Sequence, residues 1–339
     1  MVFSALSLLL GLVVILFAAE WFTNGVEVLG RKFSFSQAVV GSILAAVGTA
    51  LPETILPVVA IFSSDTHSAR DIGVGAILGA PFMLATIGFF LIGLTALVSS
   101  KRGRREAGIL VEPQTLKRDL SFFIVMYAMA IGLPLVFGRV NHAVLAVLLV
   151  LGYFAYVSLT IHGESAQIEH LEGLHLLKFP RKWRWTTHEV PHFIWIALQI
   201  VLSLAVMVWG AHIFVKGLET VSLRLGLSPL LFALLVAPVA TELPEKFNSV
   251  TWVLKKKDSL AVGNITGAMV FQATFPVSVG LLFTEWKIAG MALVSAGIAM
   301  VSAGIVLVAA FRGRKLSPAL MMLGGVLYVL YAMILVFFR

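Results

Sequence analysis

Apolar residues run through this chain in ten long blocks, separated by short polar or charged stretches. The blocks cover residues 3–27, 34–62, 72–99, 119–137, 142–162, 192–219, 227–254, 259–283, 287–311 and 317–338. Each is close to the roughly 20 residues an α-helix needs to cross a bilayer. The pattern therefore predicts an all-α membrane protein of ten spans, with nine spans and one re-entrant block as the alternative. No large soluble domain fits between the blocks. The first is too long for a cleaved signal and has no basic flank before it, so it is expected to remain as span one.

Composition narrows the class. Hydrophobic residues make up 59% of the 339 and charged residues 12%, against roughly 25% charged in a soluble domain. Mean hydropathy is +0.99. There is no cysteine, which excludes disulfides, thiolate metal sites and cysteine nucleophiles. A net charge of +8 invites a nucleic-acid reading, but the basic residues are sorted by loop. Loops of one parity hold 18 Lys and Arg, including the run 101–118, and loops of the other parity hold five. That asymmetry predicts that the basic loops are cytoplasmic and both termini lie outside. The expected partners are cations and the lipid bilayer, with no nucleic acid. The stretch 163–191, with Trp183 and Trp185, is expected to lie on the cytoplasmic leaflet.

The chain also repeats itself. Residues 25–53, shifted by 192, meet 217–245 with nine identities in 29 positions and no gap. They end in Thr49-Ala50-Leu51-Pro52-Glu53 and Thr241-Glu242-Leu243-Pro244-Glu245. After a four-residue insertion in the first copy, Gly75, Gly79 and Thr86 meet Gly263, Gly267 and Thr274. Five spans per half turn the second half upside down, which predicts inverted repeats over 1–162 and 192–339. Such folds hold their ligand near the bilayer midplane, between the halves.

Each Thr-x-Leu-Pro-Glu lies mid-span. Proline lacks the N–H that a helix needs, so Pro52 and Pro244 are expected to break spans two and seven. Freed carbonyls at membrane depth are tolerated where they line a cavity or bind a cation. A mid-bilayer carboxylate needs a partner. Lys246 points about 100° away from Glu245 on the helix and reads as a poor one. Two glutamates meeting across a pseudo-two-fold axis repel unless a cation lies between them. Thr49 and Thr241 lie four residues before Glu53 and Glu245, on the same helix face. Carboxylate, hydroxyl and carbonyl oxygens suit hard ions: calcium, sodium or magnesium. The bland alternative is a pair of kinked helices with protonated glutamates bonded to nearby backbone.

These motifs resemble those of the cation/calcium exchanger superfamily, which includes sodium/calcium exchangers. Its two α-repeats read G-[ST]-S-x-P-E, then G-N-x-x-G-S-N-x-x-N/D. The resemblance implies ten helices in two inverted halves, Glu53 and Glu245 as central calcium ligands, and Thr49 and Thr241 as oxygen donors. It also implies an antiporter of Ca2+ against Na+ or H+ with no cofactor, working by sliding spans one and six across a frame of the others. The chain departs from the pattern at Ala50 and at Glu242, which adds a third carboxylate. In the first copy Leu84 replaces the terminal Asn or Asp. The second keeps Gly263-Asn264 and puts Gln272 at that place. Glu242 is expected to compensate as a ligand or as a proton-carrying group. Asn264 fits an amide ligand or a bond to a broken helix. Asn248 and Ser249 either extend the polar stripe toward the cytoplasm or bond between helices. Pro81 and Pro276 are expected to kink spans three and eight.

Overall fold

The computed structural model of the protein describes residues 2–32, 45–62, 66–106, 108–137, 140–161, 174–178 and 192–337. The helices in chain order are α1 (Val2–Lys32), α2 (Ala45–Phe62), α3 (His67–Lys101), α4 (Pro113–Phe137) and α5 (His142–Ile161). A single turn at His175–Lys178 precedes α6 (Phe193–Arg224), α7 (Pro229–Leu254) and α8 (Asp258–Gln272). The short α9 (Phe275–Phe283), α10 (Gly290–Arg312) and α11 (Pro318–Phe337) complete the chain. Among the described residues, eight helical segments are long and apolar enough to cross a membrane, α8 and α9 together forming one. Two shorter apolar stretches, Glu53–Phe62 and Pro229–Leu243, lie in α2 and α7, the helices that carry the repeated motif.

Helices α1 and α6 lie antiparallel and touch backbone to backbone. A Cβ added to Gly11 would stand 2.6 Å from the Phe214 nitrogen, and one added to Gly217 2.9 Å from the Leu8 nitrogen. A Cβ on Gly25 would meet Ile200 at 2.8 Å. The pairs Leu8–Gly217 and Gly25–Ile200 exchange into one another under the sequence shift of 192.

The second close crossing joins α3 to α7 in parallel. Gly75 lies under the Leu230 carbonyl and Gly79 under the Leu234 carbonyl, where a Cβ would approach to 2.2 and 2.1 Å. The fourth residue after Leu234 is Pro238, which lacks the N–H that would ordinarily bind that carbonyl. One core cluster joins α1 and α6 to α2, α3 and α7. A larger one joins α3, α4, α8, α10 and α11.

Connections gather at two ends. At one, Ile109–Leu110 pairs antiparallel with Lys315–Leu316. Beside it Arg105 makes a forked ion pair with Asp258 and bonds the carbonyls of Val253 and Gly108. At the other, Phe62 stacks edge-on against Phe283 at 4.6 Å, and Thr66 donates to Glu219. The stretches 102–112, 255–257 and 313–317, all in loops of the basic parity, thus share one end.

The expected breaks at Pro52 and Pro244 do not appear: α2 and α7 run helical through both prolines. A proline removes one hydrogen bond yet keeps a helical φ, so a helix can run on through it. The irregularity lies one helix later in each copy. Helix α3 turns π-helical over Leu84–Gly88, three residues after Pro81. Its repeat equivalent, 272–276, spans the break between α8 and α9, where Pro276 stands in the first turn of α9. In both copies a buried threonine bonds the carbonyl four residues back, Thr86 to Phe82 and Thr274 to Val270. The start of the second predicted span and most of the stretch 163–191 lie outside the described residues.

Candidate cation site

The carboxylates come from α2 and α7. Glu53 is 8% exposed, and Glu242 is fully buried. Glu245 is half-buried. Glu53 feels the charges of both Glu245 and Glu242, although it comes from a helix 190 positions away in the chain. The fold therefore brings the acidic residues of the two motifs together, as the repeat required. The side chain of Thr49 lies outside the described set, while Thr241 is buried and donates to the Ala237 carbonyl one turn back in its own helix. Its hydroxyl oxygen keeps lone pairs for a second partner.

One expectation is corrected. Lys246 is no bystander: it is 4% exposed and bears electrostatically on Glu53, Glu242 and Glu245 alike. Judging it against Glu245, its sequence neighbour, hid the relevant partner. Glu242 is four residues before it, the favourable i, i+4 order on a helix face. Glu242, Lys246 and Ser249 make one buried stripe along α7. At its end the Asn264 amide of α8 donates to Ser249 Oγ at 3.0 Å. That bond uses the Asn264 amide nitrogen and leaves its carbonyl oxygen to accept from, or coordinate, a second partner. Asn248 is exposed.

Among the described residues, three buried carboxylate or amide oxygens stand without a hydrogen bond: both of Glu242, and Gln272 Oε1 at the end of α8. A buried acceptor with no donor costs about 1–3 kcal/mol, and more if it is charged. A cation satisfies several such oxygens at once. Among the described residues no three His, Asp or Glu side chains converge closely enough to hold a metal by themselves. Pro52 and Pro244 have no N–H to offer the carbonyls of Gly48 and Ala240 one turn earlier.

A second buried polar cluster escaped the sequence reading. Asp119 of α4 is 1% exposed. It accepts from Thr266 of α8 at 2.7 Å and from the Tyr156 hydroxyl of α5 at 3.1 Å, and it pairs with Arg118. All its acceptors are engaged within the protein, so it ties three helices together.

The sodium/calcium exchanger protein family matches residues 3–162 and 195–339 of this chain. The chain belongs to that family. With its apolar helices, membership makes it an integral, multi-pass membrane protein of the exchanger type. The chain is 25% identical over 319 residues to "Sodium/calcium exchanger MaX1" of Methanosarcina acetivorans, covering 85% of each chain. It is 25% identical over 293 residues to "Putative antiporter CaxA" of Alkalimonas amylolytica, covering 86% of this chain and 84% of that one. Among solved structures, the H+/Ca2+ exchanger CAX superposes with a TM-score of 0.70 at 18% identity, over 98% of this chain and 82% of that one. The sodium-calcium exchanger NCX_Mj superposes at 0.58 and 20% identity, over 98% of both. At such identities the two structures speak for the exchanger fold.

Proposed function

We propose that the protein is a secondary active antiporter exchanging Ca2+, or a similar divalent cation, for Na+ by alternating access. The observation that carries this reading is the meeting of Glu53 from α2 with Glu242 and Glu245 from α7 in a buried region where carboxylate oxygens lack donors. Glu53 and Glu245 act as the central ligands. Thr49, Thr241, Glu242 and Gln272 supply further oxygens, and Asn264 braces the stripe on α7.

Ten spans in two inverted halves fit the antiparallel α1–α6 pair, whose contacts exchange under the repeat shift. They also fit the clustering of equal-parity loops at one end. The basic end is then cytoplasmic and both termini external. Close glycine contacts join α1 and α6 into one unit, which suits their sliding together across the frame of the other helices. The exchange is obligatory because acidic charge buried at membrane depth is costly to move unless a cation compensates it.

A proton-coupled exchanger of the same fold is the second reading. Leu84 removes an oxygen donor from the first repeat, while Glu242 adds a carboxylate able to carry a proton. Reconstituted liposomes separate the two. An outward Na+ gradient drives Ca2+ uptake in the first case, and a proton gradient does so in the second. Glu53→Gln and Glu245→Gln each abolish uptake. Glu242→Gln shifts its pH dependence and ion affinity. Uptake that survives both of the first two substitutions rejects the site. Purified wild-type protein that binds cations but moves none is instead a non-transporting cation-binding protein.

A further inference from the structure

Lys246 has no counterpart in the first repeat, where the equivalent residue is Thr54. An ammonium group buried in a membrane helix is costly unless charge compensates it. Here the compensation is acidic and local: Glu242 stands one turn earlier on the same face, and Glu53 and Glu245 are within electrostatic reach. When all three acids are ionised, three carboxylates and one ammonium leave two negative charges, the charge that one divalent cation cancels.

We propose that Lys246 is a resident counter-cation of the exchange site, a tethered charge that removes the need for a monovalent cation to bind beside each divalent one. The inference rests on the antiport reading above for its transport consequences, but its binding consequences stand apart from it. A fixed positive charge lowers the attraction of the site for a mobile cation. It also sets the charge carried in each half-cycle, because it crosses no gradient and is never released. The site keeps three acids and yet needs only one divalent ion for neutrality.

The test compares wild type with Lys246→Gln, Lys246→Arg and the double variant Glu242→Gln/Lys246→Gln. Ca2+ binding to purified protein is titrated at several Na+ and K+ concentrations. Exchange in liposomes is then balanced against an imposed membrane potential to read the charge moved per Ca2+. In Lys246→Gln, Ca2+ binds more tightly, on the order of tenfold or more. One monovalent cation now accompanies each Ca2+, and the charge moved per Ca2+ changes by one. Lys246→Arg keeps wild-type coupling. The double variant, which restores two negative charges, again binds Ca2+ with no co-bound monovalent cation.

A structural lysine gives the opposite sign, with weaker binding in Lys246→Gln and no rescue in the double variant, and that result overturns the proposal. So does Lys246→Gln with wild-type affinity and charge coupling. If the expected binding shifts occur in a protein that exchanges nothing, the antiport reading fails and the counter-cation stands. If wild type binds no cation, both fall.

Discussion

Replacing Gly79 by alanine tests whether α3 and α7 form a rigid frame around the site. A Cβ there would lie 2.1 Å from the Leu234 carbonyl oxygen and 2.8 Å from its carbon and from Pro238 Cγ. The obstacle is backbone on one side and a proline ring on the other, so neither can swing away. The helices have to part by about an ångström to reach ordinary van der Waals distance. Overpacking of this kind costs about 1–3 kcal/mol, equivalent to roughly 2–10 °C in Tm. Gly297 provides the control, since it is mid-helix in α10 with nothing within 4 Å of an added Cβ. There the same change is neutral or stabilises by up to about 1 kcal/mol through helix propensity. Thermal unfolding of both variants in one detergent, followed by far-UV dichroism, makes the comparison. Gly79→Ala as stable as Gly297→Ala would refute the close crossing.

Two further substitutions separate scaffold from site. Asp258→Asn leaves Arg105, whose side chain is 7% exposed, without its charged partner at the basic end. A loss of about 3–5 kcal/mol is expected, because the penalty is an uncompensated buried charge. A melting curve within a degree or two of wild type would contradict this. Gln272→Leu does the reverse: it removes an acceptor that has no donor, so stability is expected to hold or rise while Ca2+ affinity falls. Unchanged affinity by direct titration would remove Gln272 from the site.

The two repeats contribute unequally to the polar stripe. Glu53 and Glu245 are the pair the repeat makes equivalent, whereas Glu242, Lys246 and Gln272 belong to the second repeat alone. The halves are therefore alike in motif and unlike in charge, and Leu84 stands where the second copy has Gln272.

The amino-acid sequence by itself determined the membrane class, the repeat and the identity of the paired acids. Each follows from local or periodic properties: apolar block length, charge by loop parity, and a rare pentapeptide occurring twice. Charge along the chain also marked which loops belong together, and the pairing of Ile109–Leu110 with Lys315–Leu316 agrees. What it could not supply was the outcome of competition between local and tertiary forces. Proline chemistry favoured breaks at Pro52 and Pro244, but both helices run on, and the irregular backbone lies around Leu84–Gly88 and Ala273–Thr274 instead. Only the tertiary structure put Lys246 among the acids, because one of its partners, Glu53, is far away in the chain. Asp119 is the same lesson: a carboxylate at a predicted span's edge became a buried tie because Thr266 and Tyr156, on other helices, reach it. Periodicity reports which face of a helix is apolar. Which charges meet across helices depends on how those faces are finally stacked.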